Sequence, residues 1–182
     1  MKKYKIINFT PWVLAVWPYL FFACFLCSYI NGDLASVLLL AYIIATPVVY
    51  ITNIVYACFL KGEKSCKKLA LYDMVLKLIH IPFYGIVFLA GLLLFGTIVV
   101  PALIFVTPTI ILILFFVDVC LMVTTSMYGV SALVQVARKK EVSKLYACIH
   151  VILHFLFVTD VVSAFWVYIK IRKSARKKSA EM

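Results

Sequence analysis

Residues 81–117, IPFYGIVFLAGLLLFGTIVVPALIFVTPTIILILFFV, carry no charged side chain over 37 positions. One straight helix of that length would reach about 55 Å, nearly twice the hydrocarbon thickness of a bilayer. The chain must therefore turn inside the stretch. Helix-breaking residues mark two places for the turn: between Gly96 and Pro101, which is preferred, and at Thr107-Pro108. The rest of the layout follows outward from that turn. A helix over 67–96, kinked at Pro82, precedes it, and a helix over 102–137 follows. Both exceed one hydrocarbon thickness, so tilt or protruding ends are expected. Upstream, residues 11–30 make a charge-free span with Pro11 where helix starts tolerate proline. Asn31-Gly32-Asp33 reads as a turn, and 34–60 as a span bent at Pro47. Downstream, 145–170 makes a fifth helix, with Trp166 and Tyr168 suited to the interfacial aromatic belt. A basic tail over 171–182 is expected to fray. The expectation is an all-α polytopic transmembrane bundle of about five helices, a single domain over residues 1–182, with turns at 31–33, 61–66, 97–101 and 139–144.

Composition agrees with lipid as the solvent. Hydrophobic residues make up 66% of the 182, and charged residues only 14%, against roughly a quarter charged in a soluble domain. The net charge of +11 does not point to nucleic acid, because the basic residues sit at the ends of apolar segments. Lys2, Lys3 and Lys5 form one cluster, and Lys61, Lys64, Lys67 and Lys68 a second. Arg138, Lys139, Lys140 and Lys144 form a third, and Lys170 through Lys178 the fourth. This is the pattern of cytoplasmic loops. It also implies membrane lipids as partners, anionic headgroups being attracted at about 1 kcal/mol per basic side chain. A membrane protein is a further candidate partner.

Topology is in tension. Five spans from a cytoplasmic N-terminus put the most basic cluster outside, and reversing the chain makes matters worse. Four spans, with the fifth helix re-entrant or interfacial, put every cluster inside. The start, MKKYK and an apolar run, has no small-residue cleavage pattern after it and reads as a retained helix. Of the six cysteines, Cys24, Cys27, Cys58, Cys120 and Cys148 lie in apolar segments and Cys66 in a basic loop, so they read as small hydrophobes rather than a disulfide framework. No second CxxC accompanies Cys24 and Cys27, which argues against redox catalysis.

An ionisable group within a membrane helix costs about 2.5–3.5 kcal/mol on insertion scales, so each asks for a reason. Asp73, Lys77 and His80 fall at i, i+4 and i+7 on one face, and Tyr84 extends the stripe by a turn. That face reads either as a polar path or as an internal ion pair near the cytoplasmic interface with Lys77 snorkelling. Asp118 is isolated, with Thr124, Thr125, Ser126 and Tyr128 downstream. Helix-to-helix hydrogen bonding is its plainer reading. His150 and His154 have the i, i+4 spacing of two ligands to one metal, but two histidines are half a site. On a continuous helix Asp160 lies off that face and too far along to complete it. No phosphate loop, nucleophile elbow or triad is present. No catalytic residue, metal site or cofactor is assigned.

The stretches KLIHIP (77–82), SMYGVSALVQVARKK and HVILHFLFVTDVVSAFW resemble an uncharacterised family of small polytopic membrane proteins of Gram-positive bacteria. The resemblance covers most of the chain and implies a bacterial plasma-membrane location. It carries over no activity and no site residues. Three function classes follow. A membrane-embedded accessory or interaction protein ranks first, since no catalytic constellation is complete. A small transporter or channel component built on the intramembrane Asp and His residues is second, and an intramembrane enzyme third.

Overall fold

The computed structural model describes residues 9–27, 30, 32–60, 63–140, 142–156 and 159–180. They form six α-helices: α1 (Thr10–Cys27), α2 (Gly32–Phe59), α3 (Glu63–Gly96), α4 (Val106–Arg138), α5 (Lys144–Leu153) and α6 (Thr159–Ala180). The charge-free stretch turns where its glycine and proline predict. Helix α3 ends at Gly96, two single 3-10 turns cover Thr97–Val99 and Pro101–Leu103, and α4 starts at Val106. The hydroxyls of Thr97 and Thr107 close the turn at 2.9 Å. Thr107-Pro108, the rival turn, lies in the first turn of α4, where a proline costs no hydrogen bond.

Among the described residues, three helical segments are long and apolar enough to cross a membrane: Gly32–Phe59, Ser65–Val99 and Val106–Arg138. Helix α1 is shorter, 18 residues or about 27 Å. The exterior is apolar, and polar side chains are enclosed among apolar ones in the interior. Phe88, Leu93, Phe115 and Phe116 are exposed, whereas Asn53, Asp73, Lys77, His80, Thr125, Ser126, His154 and Asp160 are buried. Lipid rewards that arrangement, since it solvates apolar side chains and leaves polar ones to satisfy each other. Helix α3 packs on α1, α4 and α6, and α2 on α1 and α4. Side chains seam these contacts. Trp17 Nε1 donates to Thr46 Oγ1 (2.9 Å), the Tyr128 hydroxyl to Asn53 Oδ1 (2.6 Å) and Gln135 Nε2 to the Leu60 carbonyl (2.8 Å). The prolines Pro18, Pro47 and Pro82 lie inside helices. Near Pro82 the Tyr19 hydroxyl donates to the Ile79 carbonyl.

Four expectations need correction. The turn at 31–33 is shorter, because α2 already starts at Gly32, while Asn31 lies outside the described residues. The basic segment from 63 is the first part of α3, so Cys66 is a buried helical residue, its thiol on Gln135 Oε1 at 3.3 Å. The basic tail is helical through Ala180, as a continuation of α6. Most consequentially, the fifth helix expected over 145–170 is two helices. Beyond Leu153 the amides of Phe155 and Leu156 bond carbonyls three residues back, tightening the last turn. The Thr159 hydroxyl then reaches the Leu153 and Leu156 carbonyls, both at 3.3 Å, offering the backbone an alternative to a continuing helix.

Helices α5 and α6 run antiparallel as a hairpin. Lys170 Nζ sits 3.5 Å from the centre of the Tyr146 ring, His150 Nδ1 pairs with Ser163 Oγ at 2.7 Å, and His154 Nδ1 pairs with Asp160 Oδ1 at 3.0 Å. The hairpin returns the C-terminal helix to the end from which α5 left. Lys67 and Lys68 of α3 line one groove with Tyr168 and Arg172 of α6, and Lys139 Nζ lies 3.9 Å from Cys66 Sγ. The second, third and fourth basic clusters therefore meet at one end of the bundle. The first lies outside the described residues, but α1 begins beside them, with Pro11 and Trp12 near Tyr72.

Candidate functional site

Of the 18 Lys and Arg residues, Lys77 alone falls outside the four basic clusters. It is 2% exposed, and its ammonium is the centre of a cluster drawn from three directions. Asp73, one turn earlier on α3, holds Lys77 Nζ at 2.9 Å through Oδ1. From the hairpin tip, His154 Nδ1 lies 2.6 Å from the same nitrogen, and Asp160 pairs with it directly. The second Asp73 oxygen faces His154 Nε2 at 3.8 Å. On α4, the Ser126 hydroxyl donates to the His154 carbonyl at 2.7 Å and lies 3.5 Å from Asp160 Oδ1. It thereby takes up one carbonyl left over where α5 ends.

Gly129 makes the convergence possible. A Cβ there would stand 2.6 Å from Asp73 Oδ2 and 2.7 Å from His154 Nε2. Only a residue without a side chain lets α4 approach both groups.

Helix rise sets the depth. Lys64 to Asp73, Arg138 to Gly129 and Lys144 to His154 are each nine or ten residues, or about 15 Å. All three elements thus carry the cluster half a hydrocarbon thickness away from the basic end. Lys77 is enclosed by protein there.

The charges do not cancel in every protonation state. Two carboxylates face one ammonium and one imidazole. With His154 neutral the cluster carries one net negative charge, and with His154 protonated it is neutral. His154 Nδ1 meets both a donor, Lys77, and an acceptor, Asp160, and cannot accept from one while donating to the other. Two hydrogen-bond patterns that differ by the location of one proton therefore share one set of positions.

Polar residues continue on both sides of the cluster. Toward the basic end, α5 and α6 supply the rungs His150–Ser163 and Tyr146–Lys170 described above. Away from it, the Tyr84 hydroxyl lies near Thr125 and within electrostatic reach of both Asp160 and Asp118. Asp118 is half-buried, and its Oδ1 is enclosed by protein without a hydrogen-bond partner among the described residues.

Of the residues singled out from the sequence, the structure joins Asp73, Lys77, His154 and Asp160. His80 is fully buried but turns to α1, its Nε2 donating to the Leu14 carbonyl at 3.2 Å. His150 pairs with Ser163 rather than sharing a centre with His154, and no group of three or more metal-ligating side chains forms among the described residues. Asp160, expected to lie off the histidine face, touches His154 because the helix breaks between them. Sequence reasoning passed over Gly129, although a glycine in the middle of a long membrane helix is a signal of close approach.

The model of a family of unknown function, DUF6652, matches residues 6–173. No curated protein and no solved structure matches the chain.

Proposed function

We propose, for a chain that belongs to the DUF6652 family of unknown function, that it is a small plasma-membrane transporter component in which buried polar side chains pass protons along the bundle. One observation carries the reading. Four ionisable groups from α3 and the hairpin converge about 15 Å from the basic end, and rungs of hydroxyl, imidazole and carboxyl groups lead away from them in both directions. Intramembrane ionisable residues are costly, and proton relays are a common reason for keeping them. Broken helices at membrane depth are likewise typical of transport sites. In this reading α1 to α4 span the bilayer, and α5 and α6 form a re-entrant hairpin. The basic clusters face the cytoplasm and its anionic headgroups. The order of groups would be His150, His154 with Asp160 and Lys77, Tyr84, then Asp118.

Proton entry into vesicles tests the proposal. The full chain is reconstituted into phosphatidylcholine and phosphatidylglycerol vesicles holding a pH-sensitive dye, and a potassium diffusion potential is applied with valinomycin. We expect proton entry at least tenfold faster than in protein-free vesicles. Tyr84→Phe, which removes one hydroxyl and no bulk, should return most of the rate to background. Entry no faster than in empty vesicles would favour the accessory or interaction reading, in which the cluster only fastens the hairpin to α3.

A further inference from the structure

Between α3 and α4, on the far side of the cluster from the basic end, lies a groove of about 450 Å³ lined by Phe88, Gly91, Leu92, Phe115, Met122 and Asp118. Its volume falls within the usual range for small-ligand sites. Its rims are lipid-facing, with Phe88, Leu92 and Phe115 all more than half exposed. The floor at Gly91 is open, because a Cβ there would meet nothing within 4 Å. Among the described residues the lining is apolar and aromatic with a single charged group, Asp118, whose Oδ1 is shielded from solvent and has no hydrogen-bond partner among them. Asp118 stands eleven residues from Gly129 along α4, or about 16 Å farther from the basic end than the cluster.

We infer that this groove binds a monovalent lipophilic organic cation, with the positive centre against Asp118 and the apolar groups against the aromatic and aliphatic walls. The groove's own charge selects the class. A neutral lipid chain would leave a carboxylate enclosed without a partner, and an anion would be repelled. A strongly hydrated inorganic cation would lose its water to one carboxylate and a hydrocarbon wall, a poor exchange. A delocalised or alkylated cation carries little hydration to lose, and its substituents gain by contact with Phe88, Phe115 and Met122. Among the described residues no cation is seen to compete: Lys77 is occupied within the cluster, and Lys67, Lys68, Lys139 and Arg172 sit at the basic end.

The inference deepens the transport reading and rests on it for one consequence: Asp118 then takes either a proton or the cation, so the two compete for it. Among the described residues, the Tyr50 hydroxyl from α2 and the Tyr84 hydroxyl from α3 lie within electrostatic reach of Asp118. Neither phenol is charged at physiological pH, which leaves the carboxyl as the group that proton and cation compete for. Protonation neutralises Asp118, so cation binding should weaken as pH falls.

Binding of tetraphenylphosphonium to the purified full-length protein in phosphatidylcholine nanodiscs tests this directly. We expect saturable binding at one site per chain, weakening as the pH is lowered. Asp118→Asn should abolish it. Gly91→Phe, which fills the floor and keeps the carboxylate, should weaken it at least tenfold while the protein keeps its elution volume and helix content. Binding that is absent, or equal in wild type and Asp118→Asn, or indifferent to Gly91→Phe, overturns the assignment. Saturable binding without proton entry into vesicles would leave the cation site standing and sink the proton path. Proton entry without binding would do the reverse.

Discussion

At the residue scale, Lys77 has the most to explain, and its removal has a calculable cost. Without the ammonium, Asp73 and Asp160 face each other through His154 in an enclosed site. Breaking a buried pair by deleting one partner typically costs about 3–5 kcal/mol, because the remaining charge stays behind. Lys77→Met keeps length and apolar bulk, so it should destabilise the protein by about that amount in denaturant unfolding from detergent. Combining it with Asp73→Asn and Asp160→Asn should restore much of the loss, since no charge is then stranded. A triple variant no more stable than Lys77→Met would mean that the ion pairs are not what the lysine supplies. Two glycines give a matched contrast. Gly129→Ala forces a methyl to within 3 Å of Asp73 and His154 and should cost about 1–3 kcal/mol as overpacking. Gly91→Ala meets nothing and should fall within about 0.5 kcal/mol of wild type. Unfolding midpoints that rank the two alike would show that the close approach at Gly129 is not maintained in solution. The stripe of Asp73 and Lys77 was legible from spacing alone, because i, i+4 geometry is local. Their partners were not, because the contact depends on a break 77 residues away with no glycine or proline to announce it.

At the element scale, the decisive feature is the hairpin of α5 and α6. The run from Leu153 to Asp160, LHFLFVTD, is apolar and has no residue that forbids a helix, so periodicity reads through it. What stops the helix is tertiary. A continuous helix would place Asp160 about 9 Å beyond His154 and away from Lys77, leaving an acid in lipid and a lysine short of a partner. The burial preference of two charges outweighs the local preference of five residues. The charge-free stretch, in contrast, had its turn in the sequence, because length against bilayer thickness and the Gly96 and Pro101 pair gave the same answer. A cross-link separates hairpin from straight helix. His150 and Ser163 are in hydrogen-bond contact, whereas thirteen residues along one helix would separate them by about 20 Å. With the six native cysteines replaced, His150→Cys together with Ser163→Cys should oxidise to an intramolecular disulfide detected in peptide mass spectra. Two free thiols after oxidation, in protein that elutes as wild type does, would mean that the arms do not lie together.

At the scale of the whole molecule, the hairpin bears on a conflict that charge counting exposes. Five complete spans would separate the C-terminal basic residues from the other clusters by the full bilayer. In the folded chain Arg172 instead shares a groove with Lys67 and Lys68, and Lys139 approaches Cys66. Basic residues on the cytoplasmic side determine orientation, and here three clusters act together rather than opposing each other. The C-terminus and the loop near residue 140 should therefore face the same compartment, the cytoplasm. A fluorescent protein that folds only in the cytoplasm, fused after residue 140 or after residue 182, should light up in both positions. A phosphatase active only outside should stay silent in both. An outside C-terminus with an inside loop would require α5 and α6 to straighten into one span. That rearrangement would also carry Asp160 away from Lys77 and dissolve the cluster, so a single pair of fusions tests the topology and the proton path together.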